Sequence, residues 1–244
     1  GVDFPSDRDN RFYSTFTGGS RVLVESLLSR RELGIGIGAA LAAFLAASAW
    51  LLWLTPASTS AVVLVLGALA VLAIGYTAPP LKLCYRGLGE LDVAVTHSIG
   101  VILCGYVFLG GAWNDALPWL LSLPLLLAIM PSITLSGIPD LEADAAAGKR
   151  TLAVRLGQRG ALIVCLIFTL LAAVAALIWH LMNLAGGAFA GIAYVVIPHA
   201  ALLSWLLYKR IESRTPAGRI DGLMAASLTY VLWFGLFPLF RLAG

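Results

Sequence analysis

The chain has 244 residues, 60% of them hydrophobic and only 12% charged, with a mean hydropathy of +0.92. A soluble domain carries about 25% charged residues, so water is excluded as the main solvent. The net charge of +3 is too small to argue for a nucleic-acid partner.

Uncharged stretches run from Leu33 to Leu81, Val93 to Asn114, Ala116 to Pro139, Gly160 to Tyr208 and Gly222 to Phe240. A helix needs roughly 20 mainly apolar residues to cross the hydrocarbon core. The first stretch holds two crossings broken at Thr55–Ser60, and Gly160–Tyr208 holds two broken near Asn183–Gly187. The expectation is an all-α, polytopic transmembrane bundle with seven helices at about 33–54, 60–78, 93–113, 117–136, 160–182, 188–207 and 222–240. Spanning β-strands alternate in polarity, whereas these runs are continuous. Gly34, Gly36, Gly38 and the Ala-rich 39–49 stretch are expected to let helices approach closely. The cysteines Cys84, Cys104 and Cys165 have no metal-ligand or redox spacing and read as apolar packing residues. The chain opens with Gly1 rather than Met, and no signal peptide is visible.

Seven helices place residues 1–32, 79–92, 137–159 and 208–221 on one face of the membrane. That face holds 15 of the 16 Lys and Arg, all except Arg241, and positive-inside sorting makes it cytoplasmic. Of the 13 acids, only Asp115 lies elsewhere. Charge sorting does not require acids to join the bases, so a polar active site is the expected cause.

Two acidic segments stand out: Asp3-Phe4-Pro5-Ser6-Asp7-Arg8-Asp9 and Asp140-Leu141-Glu142-Ala143-Asp144. Each holds an Asp-x-x-x-Asp pair near a predicted helix end, and residues four apart share a helix face. One such pair alone is ordinarily a solvated face or a cap. Two facing pairs would repel unless a cation lay between them, and Mg²⁺, held by carboxylates, substrate phosphates and water, is the natural one. Lys149 and Arg150 follow the second pair, and Arg8, Arg11 and Arg21 follow the first. Cations beside such a site suit a diphosphate leaving group. Pro5 inside a helix costs about 3 kcal/mol, so the first pair is expected to be the less regular.

These segments resemble the UbiA-type intramembrane prenyltransferases, most closely the menaquinone branch acting on 1,4-dihydroxy-2-naphthoate. Ile138-Pro139-Asp140 through Asp144, with Gly148-Lys149-Arg150-Thr151-Leu152, is similar to the family's second aspartate motif and its tail. Asp3 to Asp7, followed by Phe16-Thr17-Gly18-Gly19-Ser20-Arg21-Val22-Leu23, resembles the first motif and the loop beyond it. Tyr76-Thr77-Ala78-Pro79-Pro80-Leu81-Lys82 with Gly87-Leu88-Gly89-Glu90-Leu91 resembles the intervening loop. The family has nine membrane helices and an Asn shortly before the first Asp. Residues 1–244 are therefore expected to form a single transmembrane domain that is N-terminally truncated.

The resemblance implies Mg²⁺-dependent transfer of a prenyl chain from an allylic isoprenoid diphosphate to an aromatic acceptor in quinone biosynthesis. Asp3 and Asp7 would hold one Mg²⁺, and Asp140 and Asp144 another. Lys149, Arg150, Arg21 and Lys82 would bind the diphosphate, and Tyr76 would wall an allylic cation or bond a phosphate. The expected setting is the inner cell membrane, multi-pass, with the lipid bilayer around it, the site on the cytoplasmic side, and no required protein partner. Alternatives are other acceptors (4-hydroxybenzoate, homogentisate, chlorophyllide), a secondary transporter, and a phospholipid-synthesis enzyme using a nucleotide–alcohol donor. A transporter should gather its ionisable groups near the midplane, whereas these gather at one interface. His97, near the cytoplasmic end of its helix, is expected to be satisfied by an interhelical hydrogen bond, with a role near the acceptor as the other reading. His180 and His199 read as structural. Asp92 is explained as an acid at a helix N-terminus, and Glu90 is a weaker site candidate.

Overall fold

A computed structural model describes residues 4–54, 59–213 and 218–242. Those residues form an all-helical bundle with no strand among them. The long elements are α2 (Arg30–Leu54), α3 (Thr59–Gly75), α4 (Gly89–Val95) continuing through a π-helical turn (Thr96–Gly100) into α5 (Val101–Phe108), α6 (Ala116–Ser136), α8 (Leu152–Leu181), α9 (Ala193–Ser213) and α10 (Asp221–Leu242). Two short helices, α1 (Phe4–Asp9) and α7 (Leu141–Ala146), lie outside them.

Five of these are long and apolar enough to cross a membrane: Arg30–Leu54, Gly89–Phe108, Ala116–Ser136, Leu152–Leu181 and Asp221–Arg241. The helix Thr59–Gly75 is apolar but shorter. In α9, Pro198, His199, Lys209 and Arg210 dilute an otherwise apolar sequence.

The core lies among α6, α8, α9 and α10, where Leu135, Leu162, Phe189, Leu203, Tyr230 and Phe234 are buried. Alanines 161, 172, 175 and 176 of α8 are also buried there, and small side chains let backbones close in where lipid supplies no hydrophobic drive. Hydrogen bonds fix the register. The Trp179 indole donates to the Leu120 carbonyl at 2.8 Å, and the Tyr230 hydroxyl donates to the Thr169 carbonyl at 3.1 Å. His199 Nε2 lies 2.9 Å from the Ala226 carbonyl, and the Trp233 indole donates to its Nδ1 at 3.1 Å. His180 Nδ1 accepts the Gly191 N–H at 2.9 Å. Both histidines are structural, as expected. A smaller cluster of Val62, Val65 and Val107 joins α3 to α5, and Ala94 meets Ile129 and Met130 to dock α4 on α6.

Several boundaries differ from the sequence reading. The third long helix begins at Gly89 rather than 93, so Glu90 and Asp92 sit inside its first turn instead of ahead of it. The α8 helix begins at Leu152, eight residues early, and bends at Gly157, whose φ of 69° only glycine adopts easily. Pro5 lies within α1, Phe4–Asp9. The close contacts expected of Gly34, Gly36 and Gly38 are not made to other described residues. Among the described residues nothing lies within 4 Å of a Cβ built at any of them, and α2 buries no residue.

Candidate active site

The second acidic segment is shaped by how α7 ends. Gly148, at φ 74°, takes the left-handed position after the helix. Its N–H donates to the Ala145 carbonyl at 3.1 Å and the Lys149 N–H to the Asp144 carbonyl at 2.9 Å, the paired bonds of a Schellman turn. That reversal returns the Lys149 side chain over α7, where Nζ meets Asp144 Oδ1 at 3.0 Å. Both side chains are largely enclosed, at 14% and 9% exposure.

Asp140 stands at the N-cap of α7, and its Oδ1 accepts from Asn10 Nδ2 at 2.5 Å. Asn10 is buried, and its own Oδ1 accepts the Phe12 N–H at 2.9 Å. It directly follows α1, which packs against α7. The helix carrying Asp7 and the helix carrying Asp144 are thus neighbours across more than a hundred residues of chain. Asp3 lies outside the described residues, as does the side chain of Asp7.

Opposite α7 stand Tyr76 and Glu90. Tyr76 follows α3, and its carbonyl accepts the Cys84 N–H at 3.1 Å, folding the Pro79-Pro80 loop back. Gly89 starts α4 so close that an added Cβ would lie 3.1 Å from Cys84 Cα and 3.3 Å from Tyr76 Cε2. The absence of a side chain there is what seats the ring. Burial pushes the Tyr76 phenol up to about 12, with smaller contributions from Cys84, Glu90 and Asp144 against an opposing one from Lys149. It is therefore a neutral hydrogen-bond donor at physiological pH.

Glu90 caps α8: Oε1 accepts the Leu152 N–H at 2.6 Å, beside the Thr151 N-cap, whose hydroxyl accepts the Val154 N–H at 3.3 Å. Carboxylates are stabilised at helix N-termini. Its second oxygen is buried without a hydrogen-bond partner. A polar pocket of about 100 Å³ is lined by Tyr76, Glu90, Asp140, Asp144, Lys149 and Thr151, among others.

Four of the residues picked from sequence therefore meet: Tyr76, Asp140, Asp144 and Lys149. Three others stand outside the pocket lining. Arg21 stacks 3.9 Å from the Tyr13 ring centroid and pairs with Glu25 at 3.5 Å. Lys82 is exposed, its Nζ 5.3 Å from the Tyr85 ring centroid. The Arg150 side chain is exposed, while its backbone N–H donates to the Cys84 carbonyl at 3.1 Å. Asn10 carries no signal of this role in sequence, since an Asn bonding the N–H two residues on is an ordinary turn device that points to no distant partner. His97 is satisfied within its own helix rather than between helices, with Nδ1 3.0 Å from the Val93 carbonyl.

The donors around the pocket are carboxylate and hydroxyl oxygens with one ammonium, the hard set that suits Mg²⁺. Among the described residues no three acidic, imidazole or thiol side chains converge on one point. Mg²⁺ does not need such a cage, since one or two carboxylates complete a sphere otherwise made of phosphate oxygens and water. Asp140 and Asp144 fit that need.

Residues 2–238 match the UbiA prenyltransferase family. The chain belongs to that family. Membership spans almost every element described above, in agreement with the apolar spans. A stretch of 97 residues is 38% identical to the UbiA prenyltransferase domain-containing protein 1 of Dictyostelium discoideum, covering 39% of this chain and 29% of that relative. No solved structure matches the chain. Within the UbiA family frame, the pocket is where the loop after α3, the start of α4, α7 and the start of α8 converge.

Proposed function

We propose that this UbiA-family chain transfers a prenyl group from an allylic isoprenoid diphosphate to an aromatic carbon, using the pocket between Tyr76 and α7. The observation that carries the reading is the convergence of Asp140, Asp144, Lys149 and Tyr76 on one polar pocket, with α1 against α7. Asp140 and Asp144 would hold one Mg²⁺, and Asp3 and Asp7 another. When bound, Mg²⁺ offsets the charge that grows on the departing diphosphate.

The side chains supply the rest. Lys149 exchanges part of its bond to Asp144 for a diphosphate oxygen, a charge-assisted contact. Arg21, Lys82 and Arg150 supply positive potential around the mouth of the site. The allylic C–O bond breaks and its electron pair leaves with diphosphate. Tyr76, neutral at working pH, donates to a phosphate oxygen or presents its ring to the allylic cation. The aromatic carbon then bonds the allylic carbon and its ring proton passes to the released diphosphate or to water; a naphthoate acceptor of the menaquinone branch would also lose CO₂.

Quinone synthesis, with the naphthoate acceptor of the menaquinone branch, is the acceptor class proposed. Fifteen of sixteen basic residues on the pocket's side of the chain support a cytoplasmic site in the inner cell membrane. There the diphosphate arrives from water while its tail stays in lipid.

The test is direct. The purified chain in liposomes is given labelled prenyl diphosphate and a panel of hydroxylated aromatics, with Mg²⁺ or with excess chelator. Product is expected with Mg²⁺ only, and Asp140→Ala and Asp144→Ala are expected to abolish it. Full turnover in chelator would overturn the metal assignment. Substrate flux across the bilayer without prenylated product would replace the enzyme with a transporter.

A further inference from the structure

Tyr76 also borders a second cavity, a groove of about 360 Å³ between α3 and the α4–π-turn segment. That volume lies within the range of about 300–1,000 Å³ usual for small-molecule sites. One wall is apolar, from Leu69 and Ala73, while the other carries Asp92, Thr96 and His97. Asp92 is only 7% exposed, and its Oδ1 is buried without a hydrogen-bond partner. Burying a carboxylate oxygen without a hydrogen-bond partner is costly, and the start of α4 did not need this one. The dipole effect invoked for Asp92 at a helix N-terminus is worth only about 0.3–1 kcal/mol at an exposed position, and Asp92 makes no side-chain cap there.

The local backbone adds a second, independent observation. Directly after Val95 the helix widens into the π-turn Thr96–Gly100. Such turns in α-helices are frequent at functional sites. The Thr96 hydroxyl donates back to the Asp92 carbonyl at 2.8 Å, so its proton is spent on the backbone. His97 Nδ1 stands 3.0 Å from the Val93 carbonyl and 3.1 Å from the Thr96 hydroxyl. No lysine or arginine lines the groove. Its polar wall therefore offers the buried Asp92 Oδ1 as an acceptor, with the His97 ring beside it, and asks its ligand for a donor. The Tyr76 hydroxyl is the one donor held in common with the diphosphate pocket.

We infer that this groove is the aromatic-acceptor subsite and that Asp92, seconded by His97, selects acceptors presenting a free phenolic hydroxyl to α4. The inference rests on the proposed prenyl transfer and names its acceptor chemistry. The ring lies against Leu69 and Ala73, its hydroxyl donates to Asp92, and its reacting carbon faces Tyr76 and the diphosphate. Asp92 is a specificity and positioning residue. An acceptor that turns a carboxylate toward α4 is repelled by Asp92, and one with the hydroxyl methylated leaves Asp92 unpaired. Sites built to pair a substrate hydroxyl reject analogues lacking it far more strongly than apolar pockets reject a methylene.

The experiment compares wild type, Asp92→Asn, Asp92→Leu and His97→Phe in detergent. Three readings are taken: binding of 1-naphthol and of 1-methoxynaphthalene by fluorescence, KM for acceptor and for prenyl diphosphate, and thermal melting. Wild type is expected to bind the naphthol at least tenfold more tightly than its methyl ether. Asp92→Leu should erase that preference, leave the KM for prenyl diphosphate within twofold, and melt at or above wild type, because a buried oxygen without a hydrogen-bond partner has been removed. Asp92→Asn should lie between, and His97→Phe should lose a smaller part of the preference. A preference that survives Asp92→Leu, or a matching rise in both KM values, overturns the inference while prenyl transfer stands. A melting point that falls in both Asp92 variants makes the residue structural and overturns it too. If the naphthol preference depends on Asp92 but no aromatic is ever prenylated, the groove is confirmed as a phenol site and the proposed reaction fails instead.

Discussion

Replacing Lys149 with Met keeps the length and apolar stem of the side chain and removes its charge, which isolates the pair with Asp144. The two groups are 3.0 Å apart and retain 14% and 9% of their side-chain exposure, so solvent screens them little. Breaking a buried pair by deleting one partner costs about 3–5 kcal/mol, because the survivor is left buried and charged. The residual exposure of Lys149 and the nearby Asn10 bond to Asp140 argue for the lower end, about 3 kcal/mol. For a chain of this size each kcal/mol moves the melting temperature by roughly 2–4 °C, so Lys149→Met should melt about 6–12 °C below wild type in ligand-free detergent solution. Adding Asp144→Asn should restore most of that loss, since the buried charge facing the deleted ammonium is gone, although neither variant should turn over. The assay is a double-mutant cycle of melting temperatures without diphosphate. An unchanged melt for Lys149→Met, or a double variant no more stable than the single, would refute the claim that this pair holds the end of α7 in place.

Three further outcomes are expected. Gly89→Ala puts a methyl 3.3 Å from Tyr76 Cε2 and 3.1 Å from Cys84 Cα. The ring must shift by a few tenths of an ångström, so kcat should fall about tenfold while melting changes little, as measured by paired turnover and calorimetry. Glu90→Gln keeps an acceptor for the Leu152 N–H, whereas Glu90→Ala orphans it at about 1–3 kcal/mol, so Gln should melt near wild type and Ala clearly below. The Tyr76 phenol is pushed up to about 12 by burial, so the folded state keeps this proton where the unfolded chain, with a value near 10, releases it. Stability should therefore fall as pH rises from about 10 toward 12, and Tyr76→Phe should flatten that decline in a pH series of melts; an identical slope in the variant refutes the assignment.

The membrane helices were legible because their signal is a sum over some twenty residues, and no single position decides it. Local punctuation was legible where one residue type suits one geometry. Asn183–Gly187 breaks the helices with left-handed residues, and Gly148 reverses the chain after α7. What sequence concealed was the start of helices whose first turn carries charge. Glu90 and Asp92 looked like the approach to a span because hydropathy counts them as polar. In the structure one caps a distant helix and the other faces a groove, so both are absorbed into the first turn of α4. The glycines of α2 failed for the opposite reason: a small residue permits close approach but supplies no partner.

The candidate site divides along the same line. Asp140, Asp144 and Lys149 fall within ten residues, and their mutual geometry follows from one helix and its turn, so spacing was enough. Tyr76 was reachable because it ends a helix on the side where the charges gather. Asn10 and the bond from Glu90 to Leu152 join residues 130 and 62 positions apart, and no periodicity encodes such a pairing. Arg21, Lys82 and Arg150 were picked for their charge and position, yet each finds an aromatic, acidic or exposed setting beside the pocket rather than in it. A guanidinium needs only a face of the protein to satisfy positive-inside sorting, so basic residues are weak pointers to a site in a membrane protein. Acids have no such topological duty. The ones buried against the interface, Asp92 as much as Asp144, are therefore the better guide to where this chain meets its ligands.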